Sequence, residues 1–114
     1  MTRVLIERLE NLNALHIACI LGEEEIACEL FEFLVKTTTD MEAKKLLFEF
    51  IGRPCASGNT VLHLASFMGL SRLVQRLIES GASVYKKNGR NYKPVDLVDD
   101  QETSLVFSTI SSGM

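Results

Sequence analysis

The sequence predicts an all-α fold, a solenoid of stacked helix–turn–helix units, and three observations predict it. First, Asn13-Ala14-Leu15-His16-Ile17-Ala18 precedes Gly22 as Thr60-Val61-Leu62-His63-Leu64-Ala65 precedes Gly69, at one constant offset of 47 residues (63 − 16). Second, the apolar stripe that follows keeps the same offset: Ile26, Ala27, Leu30 and Phe31 stand before Leu73, Val74, Leu77 and Ile78. Third, Lys93-Pro94-Val95-Asp96-Leu97 is a worn copy 33 residues (93 − 60) after Thr60 to Leu64. A period of 33 belongs to stacked helix–turn–helix arrays.

The middle copy explains the unit physically. Thr60 suits a helix N-cap, its hydroxyl accepting from an orphan N–H of the first turn. Val61, Leu62, Leu64 and Ala65 make a short apolar helix that Gly69 ends, because Gly takes the left-handed conformation without a Cβ penalty. Ser71 is expected to cap a second helix, whose Leu73, Val74, Leu77 and Ile78 form one stripe at helical period. Gly81 stops that helix, and Ala82-Ser83-Val84 leads out to a turn at Asn88-Gly89. Such a pair cannot bury its own stripe and needs a like neighbour on each side. Thr60 to Ala65 resembles the T-P-L-H-x-A signature of the ankyrin repeat, with Val at the Pro position, and Ser80-Gly81-Ala82-Ser83-Val84 is similar to its S-G-A-D-V segment. The resemblance covers residues 13–110 and implies an ankyrin-repeat solenoid of two full repeats plus a C-terminal capping repeat. Its signature positions here are Asn13, His16, Gly22, Thr60, His63, Gly69, Gly81 and Pro94.

Taken in order, residues 1–12 are expected to form an N-terminal capping helix with Leu5, Ile6 and Leu9 on one side, a lid on the stack or the remnant of a further repeat. Residues 13–34 are repeat 1, with Asn13 as N-cap and Glu23, Glu24 and Glu25 at the start of its second helix, where negative charge suits the dipole. Residues 35–57 are a helical insertion of 14 residues beyond the period (47 − 33). Asp40 caps its helix, Leu46, Leu47, Phe50 and Ile51 are its apolar side, and Gly52, Arg53 and Pro54 end it near Ile51. That helix is expected on the outer face of the stack. Residues 58–90 are repeat 2 and 91–110 the capping repeat, with Lys93 for Thr, Asp96 for His and Asn91 for Gly. Pro94 suits a first helical position. Asp99, Asp100, Gln101 and Glu102 stand where the resemblance implies small apolar residues and the helix-ending Gly, a polar change that the wet face of a terminal unit requires. Leu105, Phe107 and Ile110 are expected to supply a shortened second helix, and 111–114 a frayed tail.

The totals bound the function. A chain of 114 residues is one domain, and 46% hydrophobic with 24% charged residues is ordinary for a globular protein. A net charge of −3 implies neither a strongly acidic nor a strongly basic partner. No membrane segment or leader is expected, since Val4-Leu5-Ile6 runs at once into Glu7 and Arg8. Three cysteines, an odd number, point to reduced thiols and a cytoplasmic or nuclear location.

Chemistry-bearing residues have plain readings. His16 and His63 each lie three positions after a cap, where the ring bonds the cap; the resemblance implies that they tie the turn to the helix. Cys19, Cys28 and Cys55 are in unrelated parts of the unit, so no metal-ligand spacing arises. A Cys19–His16 nucleophile would need an oxyanion hole and an orienting group that nothing supplies. No cofactor, metal, catalytic residue or small-molecule substrate is expected, and the chain is expected not to be an enzyme. Lys86, Lys87, Arg90 and Lys93 surround one turn with Tyr85 and Tyr92 interleaved, yet the patch is small and the chain acidic, which argues against nucleic acid. A solvated turn is the plain alternative to a binding rim.

Apolar residues just before the helix-ending glycines are the informative oddity: Ile20-Leu21 before Gly22 and Phe67-Met68 before Gly69. The ankyrin resemblance implies that these positions, with the turn tips, face a concave groove that contacts another protein. Carried over by position, the groove set is Ile20, Leu21, Ala56, Ser57, Asn59, Phe67, Met68, Lys87, Gly89, Arg90 and Tyr92. An exposed patch of this kind marks an interaction site, with basic residues at its rim. The alternative is that the insertion or the N-terminal helix covers them as core. The resemblance thus implies a non-catalytic protein-binding module. A long insertion after the first repeat is similar to ankyrin regions of some transcription regulators, such as inhibitors of Rel-type factors, and implies a regulatory role. A structural spacer within a larger protein is the other reading.

Overall fold

The structure, a computed structural model, describes residues 13–112, so the capping helix expected over residues 1–12 lies outside it. Among the described residues there are six α-helices and no strand: α1 (Ala14–Ile20), α2 (Glu24–Lys36), α3 (Met41–Gly52), α4 (Val61–Met68), α5 (Ser71–Glu79) and α6 (Gln101–Ser112). Single 3₁₀ turns occupy Ala56–Gly58 and Pro94–Leu97. The chain makes two layers. Helices α1, α4 and the Pro94–Leu97 turn lie side by side as the inner row, and α2, α5 and α6 lie side by side as the outer row. Helices of 7 and 8 residues are too short to persist alone in water. The core between the rows holds them, with Leu15, Phe31, Val61, Leu62, Leu73, Val74 and Leu77 buried.

Local chemistry sets most boundaries. Asn13 and Thr60 cap α1 and α4 as expected, each paired reciprocally with the histidine three residues on. Gly22, Gly69 and Gly81 follow helix ends at positive φ. Ser71 is not the cap of α5; it is the first helical residue, and Leu70 precedes it without a side-chain cap bond. Leu70 is instead buried in the core cluster, so apolar packing sets that helix start.

The insertion corrects one expectation. Asp40 caps α3 through Oδ1, which accepts from Ala43 N at 2.7 Å. The helix does not lie on the outer face. Ile51 is buried in the core cluster with Leu47 and Phe50 packed against it, and the Phe48 ring comes 3.8 Å from where a Cβ on Gly81 would stand. Phe50 O also accepts from Asn13 Nδ2 at 3.2 Å. Thus α3 sits at the edge where α1 and α4 begin and α5 ends. Two facts explain this. Only Thr37 to Asp40 links α2 to α3, which keeps α3 near the end of α2. The outer row is bridged by ion pairs, Glu24 with Arg72 and Glu32 with Arg76, which would lose water if α3 covered them.

The third unit also departs from expectation. Its first helix is reduced to one 3₁₀ turn, but its second is not shortened: α6 has 12 residues against 9 in α5, and it takes in Ser111 and Ser112 of the expected tail. Asp100 restarts the chain as a cap, its Oδ2 accepting from Thr103 N and from Thr103 Oγ1, both at 2.9 Å. Asn91, in the place of Gly58, adopts φ +71 against +76, the left-handed region that Asn tolerates best after Gly.

Ser66 Oγ, on the buried side of α4, has no hydrogen-bond partner among the described residues. Its counterpart one repeat earlier is Cys19, also buried. Removing a hydroxyl that lost its water without gaining a partner is favourable, so Ser66→Ala is expected to stabilise the fold by about 1 kcal/mol. Urea unfolding followed by circular dichroism checks it through a higher midpoint at unchanged slope.

Candidate functional site

The site is built on the two histidines. His63 Nδ1 accepts from Thr60 N at 3.1 Å, while its backbone N donates to Thr60 Oγ1 at 3.3 Å. Its Nε2 faces the Tyr92 carbonyl at 2.9 Å, in the turn of the next unit. A carbonyl only accepts, so Nε2 carries the proton and the ring is neutral. His16 repeats this with Asn13 N at 3.0 Å, but its Nε2 meets the carbonyl of Arg53, at the end of the insertion, at 3.1 Å. Burial pushes the pKa of both rings below the ordinary 6.5, outweighing the raising effect of those carbonyls.

His63 therefore pins a turn whose shape is repeated one unit earlier. Cys55 N donates to Asn59 O and Asn88 N to Tyr92 O, both at 2.8 Å. The two tips then join backbone to backbone, with Gly89 N donating to Ser57 O at 2.7 Å. A Cβ on Gly58 would lie 2.8 Å from Gly89 N, and one on Gly89 would lie 2.8 Å from Ser57 O, so both tips require glycine. Asn88 ties the tips further: its Nδ2 donates to Asn59 Oδ1 at 2.8 Å, and its Oδ1 accepts from Arg90 N and Tyr92 N.

Between these tips and the inner row lies a cleft of about 350 Å³. Of the expected groove set it brings together Ser57, Asn59, Phe67, Arg90 and Tyr92. Phe67 is 65% exposed and Tyr92 47% exposed, so the aromatic wall faces outward. Ile20 (47% exposed), Leu21 (68%) and Met68 (39%) lie outside the cleft, at the far ends of α1 and α4. Met68 Cε comes within 3.5 Å of where a Cβ on Gly22 would be, which draws those ends together. Lys87 and Gly89 belong to the turn tip beside the cleft, and Ala56 opens the 3₁₀ turn of the other tip. The sequence reading missed Leu64, Asn88 and Leu97, which also line the cleft. Leu64 stands three residues before Phe67, on the same side of a helix, which was the available signal.

A family description, ankyrin repeats in three copies, matches residues 1–88. The chain belongs to the ankyrin-repeat family. Among curated proteins no match was found. Ankyrin repeats are generally protein–protein interaction modules and typically non-catalytic. The match ends inside the turn before the worn third unit, the part whose first helix is a single 3₁₀ turn.

Within this ankyrin unit the reactive groups are held quiet. Burial, with a smaller contribution from Cys28, pushes the Cys19 thiol up to about 12, so it stays protonated at neutral pH. None of Cys19, Cys28 and Cys55 forms a disulfide. Among the described residues no group of three or more His, Cys, Asp and Glu side chains is placed to hold a metal, and no helix is long and apolar enough to cross a membrane.

Two predictions follow from the clamp and the tips. Because both folded-state histidine pKa values lie below 6.5, the unfolded chain binds more protons in acid. Stability is then fully present above pH 6.5 and falls as pH drops from 6.5 through the lowered folded values. Urea midpoints measured from pH 8 to 5 should show that fall, with a smaller slope in His63→Gln. Gly58→Ala should cost about 2 kcal/mol or more, from the left-handed backbone and the backbone clash together. A lowered thermal midpoint checks it.

Proposed function

We propose that this ankyrin module is non-catalytic and binds a segment of another protein, acidic or mixed in charge, through the concave side. Phe67, Met68, Ile20 and Leu21 supply the apolar contact, and Tyr92, Asn59, Ser57, Ala56 and Gly89 the tip side of the groove. Arg90 and Lys87 steer the approach, since rim charges act mainly on encounter rate. The observation that carries the reading is the cleft itself: exposed Phe67 on α4 with exposed Tyr92 and Arg90 from a turn tip already held by backbone hydrogen bonds. A surface ordered before binding loses less entropy on association. Three cysteines that form no disulfide fit a reducing cytoplasmic or nuclear compartment, and the helical insertion fits a regulatory role.

A second reading, a structural spacer within a larger protein, has its own support. Ile17, Ile26 and Phe33 of the first helix pair are exposed. Concentration-dependent self-association in sedimentation would favour it, because an open stack end pairs with a like end.

The test of the first reading is the double variant Phe67→Ala with Met68→Ala, compared with wild type in capture from lysate followed by mass spectrometry. Circular dichroism should be unchanged, and proteins captured by wild type should be lost. Unchanged capture by a folded double variant overturns the groove assignment.

A further inference from the structure

We propose that the insertion builds a second binding site, separate from the concave cleft, which takes a short peptide presenting a bulky apolar side chain next to a carboxylate. The site is a cleft of about 460 Å³ between α3 and the loop after α5. That volume falls among sites that hold one small ligand or a few side chains. Its floor is Ile51 and Leu62, nearly fully buried, and its walls are Phe48 and Ala82. Phe48 is 58% exposed although it stands on the packed half of α3, held beside Gly81, so one ring face is left for an incoming apolar group.

The rim selects the charge. Arg53 from the end of α3 and Lys86 from the loop both line the opening, with Glu49 as the single acid there. Among the described residues the ion pairs are Glu24–Arg72, Glu32–Arg76 and Arg76–Glu79, all on the outer row, so neither rim cation is paired. Arg53 and Lys86 also stand near enough to His16 and His63 to disfavour their protonation. A net positive rim around an apolar floor, in a chain of net charge −3, complements an acidic residue beside an apolar one. The cleft owes its existence to α3, because without the insertion nothing would face the loop after α5.

The experiment titrates ¹⁵N-labelled protein with acetyl-Phe-Glu-amide and, separately, with acetyl-Phe-Gln-amide, reading amide shifts. Saturable shifts at Gly52, Arg53, Ala82 and Ser83 are expected with the Glu probe, at a Kd of about 1 mM for so small a ligand. The Gln probe, and the Glu probe on Arg53→Ala/Lys86→Ala, should bind about threefold more weakly, the size of a half-exposed ion pair. The Arg53 backbone carbonyl that holds His16 survives that change, so circular dichroism should not move. Equal binding of both probes, shifts confined to Asn59, Arg90 and Tyr92, or no saturable shift overturns the proposal. Concentration-dependent shifts at the same amides in the free protein would give the cleft to a second copy and overturn it equally.

Discussion

A neutral imidazole donating to a carbonyl outside its own helix is the contact on which the rest of this stack depends. Inner helices of 7 and 8 residues have too few internal bonds to define their own position. The ring solves this by facing two ways. Nδ1 accepts from the cap at the helix start, and Nε2 holds a carbonyl further along the chain, 29 residues on for His63. Burial keeps the ring neutral, and neutrality is what leaves one nitrogen free to accept while the other donates. In the first unit the insertion intervenes, and His16 takes Arg53 instead of a residue in the next turn. The requirement is therefore a carbonyl at that point in space, which the end of a helix supplies as well as a turn does.

The other joints of the stack are of two kinds, with different consequences. The outer row is crossed by ion pairs open to solvent on at least one side, which add little to stability. Their larger effect is exclusion, since covering them with the apolar side of α3 would strip the charges of water. The turn tips are joined by a backbone bond from Gly89 N to Ser57 O, beside Gly58 where any side chain would intrude, and by the Asn88–Asn59 side-chain bond. These joints hold the tips without using the side chains of Arg90 and Tyr92. Asn59, Arg90 and Tyr92 therefore line the cleft, Asn88 holding the first by its side chain and the other two by their backbone N–H groups.

Features confined to one unit were legible in the sequence because the same contacts recur at fixed spacing. Asn13 with His16, Thr60 with His63, the left-handed glycines and the paired core stripes are all of this kind. Asn91 reads as the stand-in for the Gly of the unit, and it shares the positive φ of Gly58. Where competition between distant surfaces decides, periodicity is silent. The seat of α3 depended on the charge of two other helices, and the start of α5 on whether Leu70 could be buried. In the third unit Asp96 accepts from Lys93 N and Asp100 from Thr103 N, so the expected first helix shrinks to a 3₁₀ turn and the expected short second helix runs long. The groove set shows the same division: the turn and inner-helix positions converge on one cleft, whereas Ile20 and Leu21 lie at helix ends whose distance from the tips no spacing rule gives.

Thr60 and His63, the reciprocal cap pair, also form a partition. Thr60 lines the cleft beside the insertion, and His63 lines the concave cleft. Both are almost completely buried and hydrogen-bonded to each other, so the wall between the two clefts is a rigid part of the core. An insertion at the first inter-repeat junction can therefore shape one side of the stack while the geometry of the other side stays that of the uninterrupted unit. The price of this arrangement is confined to the first unit, where His16 must share the end of α3 in place of a turn tip. The second unit keeps its own turn, its own clamp and its own row of exposed side chains, and it is there that the tips and the inner helix meet as a cleft.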